Sequence, residues 1–387
     1  MAITDKEKGV WGLDQVYNKI NQGSIWEYST NLYGLWGWGK NASGQMAGNS
    51  TAAASYSSPV QVPGTTWKQI GMDGNGQYGM IASKTDGTLW VWGHNHNGQL
   101  GQNQATAQLA ALSSPTQIPG TNWSDAFHSW TSSTLASKTD GTLWTWGNGN
   151  NGTLGQNQPD NTDYSSPVQI PGTNWGTTRG KVGRSIAIKT DGTLWSWGAY
   201  NANNVADNPG KRSSPIQIPG TNWSTVKSIA YGKCAVKTDG TLWIWGSNGN
   251  GKFMTNSLTE YSSPIQIPGT WKTTMSGGSH YTSAFIKQDG TLWMAGDNEK
   301  GYLGQNDTVK RSSPVQIPGS WDQVGQAAYA TMGIKTDGTA WVWGQTNEYG
   351  ELGLNAGVNY SSPVQLPGTD WDQPQGGMLQ MFALQKV

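Results

Sequence analysis

Lys189–Gly198, KTDGTLWSWG, reads as one strand ending at Lys189, an Asp-Gly turn, and a second strand of alternating residues. After the turn, Leu194 and Ser196 fall on one face and Trp195 and Trp197 on the other. A period of two is the signature of β-structure, not of a helix. Asp-Gly suits a tight two-residue hairpin in which both central residues take positive φ. Near-copies stand at Lys84–Gly93, Lys138–Gly147, Lys237–Gly246, Lys287–Gly296 and Lys335–Gly344.

A seventh copy is split. Asn31–Gly39, NLYGLWGWG, supplies the second strand without the turn, and Met381–Val387, MFALQKV, matches the strand that elsewhere precedes it. Pairing Leu35, Trp36 and Trp38 with a strand that carries Phe382 and Leu384 completes the missing hairpin. A ring of repeats closed in this way leaves no open sheet edge between its ends.

Between the hairpins one unit recurs about every fifty residues, a period typical of propellers and solenoids. Ser-Ser-Pro recurs seven times, from Ser57 to Ser361, and each copy is followed by a Pro-Gly whose proline lies four residues after the first, from Pro63 to Pro367. The three residues between the prolines, such as Val168-Gln169-Ile170, read as a short outer strand, because proline cannot donate to a ladder. The glutamine of this element (Gln61, Gln117, Gln169, Gln217, Gln266, Gln316, Gln365) is expected to be a structural hydrogen-bonding group. Twenty of the 23 tryptophans occupy repeat positions. Large rings there fill the space between blades, which leaves Trp11, Trp26 and Trp130 for other roles. Ala295 stands where a fourteenth strand tryptophan would complete the pattern.

The 387 residues carry 54 glycines and a formal net charge of zero, with only 12% charged side chains. Nucleic-acid binding calls for a basic surplus, and none is visible. No apolar run is long enough for a membrane helix, no secretory signal core is evident, and Cys234, the single cysteine, excludes an intrachain disulfide.

Residues 1–30 stand outside the repeat. Leu13, Val16, Tyr17 and Ile20 fall at helical spacing, with Trp11 and Trp26 flanking them. An isolated helix of this length needs a surface to lie on. A strap on the propeller and a docking arm for a larger assembly fit the pattern equally.

Enzyme chemistry finds little support. His94 and His96 lack the further ligands of a metal site. Cys234 takes the place of Ile186 and reads as a small buried hydrophobe. Six of the aspartates are committed to turns, no carboxylate pair stands out for glycoside hydrolysis, and no phosphate-binding loop is present. The expectation is a protein without catalytic residues, cofactor or metal. The unequal segments Gln102–Leu112, Ala199–Gly210 and Lys252–Glu260 follow the Trp-Gly strands. Exposed loops on a uniform scaffold are common places for recognition, although drift in solvent explains them nearly as well.

The pattern DGTLWxWGxNxxGxLGxN, clearest at Asp86–Asn103 and Asp140–Asn157, resembles the repeats of the regulator of chromosome condensation (RCC1) family. That resemblance implies an all-β, seven-bladed propeller over residues 31–387, closed by strands from both termini, behind an arm at residues 1–30. Ala47, Ala206 and Met254 replace the second loop glycine, so those loops are expected to differ in shape. Gly9–Tyr28 is similar to N-terminal stretches of tailed-bacteriophage virion proteins. It implies a structural virion protein, a surface decoration or tail-fibre module made in the host cytoplasm and present in several copies per particle. Its arm would bind other virion proteins, and its rim loops a host receptor or glycan. The alternatives are a soluble propeller that regulates a cellular protein, and a glycan-binding module.

Overall fold

The computed structural model describes residues 32–387 except 50–54, 73–78, 105–107, 129–131, 160–161, 177–181, 184, 199–211, 230, 274–278, 280 and 347–348. The expected arm, including Trp11, Leu13, Val16, Tyr17, Ile20 and Trp26, lies outside the described residues, as does Trp130.

Seven antiparallel sheets follow one another around a ring. Blade 2 shows the pattern: Trp123–His128, Ser133–Lys138, Leu143–Gly147 and Tyr164–Ile170, paired in chain order. Blades are numbered here from the one that starts at Trp67. In blade 5 the described part of the first-strand position pairs through a bridge between Trp271 and Lys287. Blade 7 is built from both ends of the chain, in the order Trp371–Gly376, Gln380–Lys386, Tyr33–Lys40, Ser55–Val62. Leu35 pairs with Leu384, Trp36 with Ala383, Gly37 with Phe382 and Trp38 with Met381. The ring is therefore closed by strand pairing between its N- and C-terminal strands.

Closure rests on a size exchange. The Gly37–Phe382 pair stands where other blades pair Val91 with Ile81, Ile244 with Cys234, or Val342 with Met332. A Cβ on Gly37 would lie 2.2 Å from the Phe382 ring, so the large residue is admitted only because its partner is glycine.

Seven hydrophobic clusters hold the molecule together, one at each seam. At the seam of blades 7 and 1, Leu35, Val62 and Phe382 meet Trp67, Ile70 and Trp92. The second tryptophan of the strand motif also ties blade to blade through its N–H. Trp92 donates to the Gln45 carbonyl at 2.7 Å, Trp146 to Gln99 at 2.9 Å, Trp343 to Tyr302 at 3.0 Å and Trp38 to Glu351 at 2.9 Å.

Outer strands and loops form a second set of links. The Asn306 amide donates to the Ser361 carbonyl at 2.6 Å, and the Ser362 hydroxyl returns a bond to Asn306 Oδ1 at 3.2 Å. Equivalent clasps join Asn103 to Ser165 and Ser166, and Asn355 to Ser57. They give the Ser-Ser and the loop asparagine of the repeat a structural purpose.

Four sequence expectations are corrected. The turn loop has three residues: Lys84 and Thr88 close it through the Lys84 N–H to Thr88 carbonyl bond at 3.0 Å. Only Gly87 takes positive φ, +80°, while Asp86 does not. The carboxylate instead accepts from the Thr88 amide at 2.9 Å and its hydroxyl at 2.6 Å, so the side chain fixes a conformation that a two-residue turn would have demanded of the backbone. The outer strand is also longer than the proline-fenced triplet. Most of these strands run seven or eight residues through Ser-Ser-Pro, with a register shift between Tyr164 and Val168 in blade 2. An outermost strand can hold a proline at such an irregularity because that N–H has no neighbour to serve. All seven glutamines of this strand are exposed, and the repeated bonds use backbone carbonyls instead: Gln156 donates to that of Gln169 at 3.0 Å, and Gln305 to that of Gln316 at 3.0 Å. The loops at Ala47 and Met254 keep the common shape as well, with φ of 57° and 60° beside 62° at Gly101 and 69° at Gly353.

Candidate recognition surface

First strands face the ring axis. Lys227 of blade 4 donates to Gln375 Oε1 of blade 7 at 3.3 Å, a bond between opposite blades that only residues facing the centre can make. Around the same strands runs a polar relay: Lys272 reaches Asp322 at 2.9 Å, Gln323 reaches Asp372 at 2.6 Å, Gln373 reaches the Lys68 carbonyl at 2.8 Å and Gln69 reaches Asp125. Each link joins one blade to the next, from blade 5 round to blade 2. Side chains along the axis are thus engaged with one another.

The two rims differ. One carries the Asp-Gly turns, and six of its hairpins share a single arrangement. In blade 1 the Trp90 N–H donates to Thr88 Oγ1 at 2.8 Å, Thr88 donates to Asp86, and Lys84 Nζ lies 4.3 Å from the Trp90 ring centre and 4.8 Å from that of Trp67. The threonine bonds hold the carboxyls of Asp86, Asp140, Asp191, Asp239, Asp289 and Asp337 below the ordinary aspartate value. A rim so uniform offers little by which to tell partners apart.

The opposite rim breaks the repeat. Tyr281 and Tyr329 immediately precede the second strands of blades 5 and 6 (Thr282–Ile286 and Ala330–Lys335), and Tyr302 comes from the loop that crosses between them. Tyr281 stacks on Tyr302 with ring centres 5.8 Å apart at 16°, and lies 5.5 Å from Tyr329. Tyr302 is buried and donates to Gln345 Oε1 at 3.0 Å, whereas Tyr281 and Tyr329 are half-exposed. Burial first, then the bond to Tyr329 and the nearby Asp297 and Glu299 carboxylates, push the Tyr281 hydroxyl up to about 12. Lys310 pairs with Asp297 at 3.0 Å and Lys300 with Glu299 at 3.5 Å. Tyr231 beside Lys252, at 6.0 Å, and Tyr349 beneath Lys40, at 5.2 Å, extend the arc on either side. Blade 2 has Ser132 at the Tyr281 position, and the closing blade has Leu379. Half-buried tyrosines give large rigid contact area with a polar tip, the composition enriched at protein interfaces.

Sequence reading missed this cluster. The available signal was a repeat column: Tyr231, Tyr281 and Tyr329 each stand six residues before the turn lysine, at Lys237, Lys287 and Lys335. Of the three unequal segments, Lys252–Glu260 begins with three buried residues, Lys252, Phe253 and Met254. Ala199–Gly210 lies outside the described residues, as does part of Gln102–Leu112. His94 and His96 stack at 5.5 Å, and burial lowers the His94 pKa. Among the described residues no three His, Cys, Asp or Glu side chains converge to hold a metal. Cys234 is fully buried, and desolvation raises its thiol to about 12. The ring-closure residues Leu35, Trp38, Phe382 and Leu384 are buried, and Trp36 is half-buried.

A model of the Regulator of chromosome condensation (RCC1) repeat matches residues 86–131 and 140–177. The fold is an RCC1-like seven-bladed propeller. Human WBSCR16 is similar over 92% of this chain and 100% of its own, at 18% identity and a TM-score of 0.75. Prp20p from Saccharomyces cerevisiae, a structure described with that protein's binding properties to Gsp1p and histones, is similar over 92% of each chain at 17% identity and 0.77. Yeast RCC1 (Prp20) with Kap60 bound gives 16% identity and 0.74, over 92% of this chain and 89% of that one. At these identities the likeness is one of fold. In this RCC1-like ring the RCC1 repeat signature maps to the hairpins and clasps, and the tyrosine arc lies outside it.

Proposed function

We propose that this chain is a non-enzymatic binding protein whose propeller is a platform for another protein. The observation that carries the reading is the arc of Tyr231, Tyr281, Tyr302, Tyr329 and Tyr349 on one rim of an otherwise repetitive ring. A rigid scaffold holds these rings in place before binding, which limits the ordering cost of association. Solved propellers of the same fold bind proteins, as Prp20p does Gsp1p and histones. The experiment is site-specific photo-crosslinking in the source cell, with the reactive group at Tyr281 or Tyr329 and, as a control, at Thr336 on the opposite rim. One partner protein captured from the tyrosine positions alone is the expected result. Equal capture from both rims, or binding on a glycan array instead, overturns it.

A second reading is favoured by Gly9–Tyr28: a structural virion protein of a tailed phage, located in the particle and anchored by residues 1–30. Deleting those residues should leave a folded ring that no longer enters particles. Continued incorporation rejects the anchor.

A further inference from the structure

The seam between blades 6 and 7 departs from the repeat on the outer flank, near the turn rim. In six blades a lysine sits over two tryptophans of its own blade: Lys84, Lys138, Lys189, Lys237, Lys287 and Lys335, each with Nζ 3.8 to 5.5 Å from both ring centres. In every case the lysine pairs with the tryptophan that opens the blade, as Lys84 does with Trp67 and Lys335 with Trp321. In blade 7 the residue paired with Trp371 is Gln385. Its amide turns away to the Thr369 carbonyl at 3.0 Å. Trp36 and Trp371, 6.5 Å apart at 69°, keep the ring arrangement of Trp67 and Trp90, at 6.5 Å and 77°. The aromatic pair persists without its ammonium.

Two further changes open the same place. In blade 7 the paired strands Gln380–Lys386 and Tyr33–Lys40 are not joined by a Thr-Asp-Gly-Thr loop, and the Trp36 N–H is buried without the threonine partner that its six counterparts have. On the facing side, Leu354 occupies the position of Gln102, Gln156 and Gln305, which elsewhere bind outer-strand carbonyls. The result is a pocket of about 480 Å³ walled by Trp36, Trp371, Leu354, Pro59 and Pro367, with Gln385 beside them.

We propose that this pocket takes the side chain of a lysine presented by a bound protein. The prolines and Leu354 cover the aliphatic stem, and the two indole faces receive the ammonium that the chain supplies to itself in the other six blades. The proposal rests on the protein-platform reading and adds to it a cationic side chain at a second place on the ring.

Full-length protein labelled with 5-fluorotryptophan tests it, with the Trp36 resonance assigned by Trp36→Phe. Titration with n-pentylammonium chloride should move that resonance saturably, and 1-pentanol should bind at least about tenfold more weakly. Gln385→Lys supplies an internal ammonium and should abolish the response without lowering the melting temperature. Leu354→Gln, which restores the repeat residue on the other wall, should weaken it independently. Equal binding of pentanol and pentylammonium makes the pocket merely apolar and overturns the proposal. So does an unmoved resonance, which includes the case where the chain's own N-terminal residues cover the pocket. Should a partner crosslink to Tyr281 while the pocket ignores pentylammonium, the lysine proposal falls and the platform stands. The reverse pair of results removes the platform and keeps the pocket's preference for a cation.

Discussion

Ala295 stands where six other blades place a buried tryptophan, five of which bond the preceding blade. The Lys252 carbonyl keeps the bond from the Ser283 hydroxyl, directly across the strand pair from Ala295, whereas the Gln99 and Thr153 carbonyls accept from both a hydroxyl (Thr134, Ser185) and a tryptophan. Ser283→Ala removes that donor inside a buried seam and should cost about 1–3 kcal/mol, read from urea denaturation. Ala295 was legible as an exception in the sequence, but the hydroxyl bond that remains beside it was not, because Ser283 and Lys252 are separate columns of the repeat until the strands pair. Cys234, by contrast, behaves as its column implied. With its thiol raised to about 12 by burial, alkylation at neutral pH should proceed only at the rate of global opening. Fast labelling under native conditions would show that blade 4 opens on its own.

At the scale of the element, the hairpin and the clasp make separate predictions. In each hairpin the folded aspartate lies below its ordinary value of 3.8, chiefly through threonine bonds. The folded state thus binds protons less readily than the unfolded chain. The stabilisation is complete above the ordinary aspartate value and is lost as pH falls below it, through the lowered folded values. The urea midpoint should therefore drop as pH falls below about 4, and Asp337→Asn should reduce the drop. A midpoint flat across that range would mean that the carboxylates contribute nothing. The clasp depends on close approach: at Gly301, φ is +81° and a Cβ would lie 2.5 Å from Ser361 Cα. Gly301→Ala should destabilise by roughly 1–3 kcal/mol in thermal melts. The recurrence of these glycines was plain in the sequence. That one of them is required by a neighbouring blade's backbone, and the other by its own turn, became visible only from the contacts.

For the whole molecule the decisive joint is blade 7. Gly37→Val should clash with Phe382, and Phe382→Ala should leave a cavity worth about 3–5 kcal/mol. Together they exchange the large and small partners and should recover about 0.5–3 kcal/mol of the combined loss, measured as a double-mutant cycle on urea midpoints. Simple additivity would mean that the two residues do not act as a closure pair. The polar relay around the axis and the bond from Lys227 to Gln375 complete the ring from within, and nothing in the repeat pattern announced them.

Local sequence determined the strand period, the turn residues, the sevenfold count and the split hairpin, because each depends on backbone preferences or spacing within about fifty residues. Tertiary structure decided which exceptions matter. Tyr281, Tyr302 and Tyr329 meet across two blades, and Gln385 and Leu354 face one another across a seam. Such neighbours are set by ring closure and blade packing, contacts between residues far apart in the chain, which no single repeat encodes.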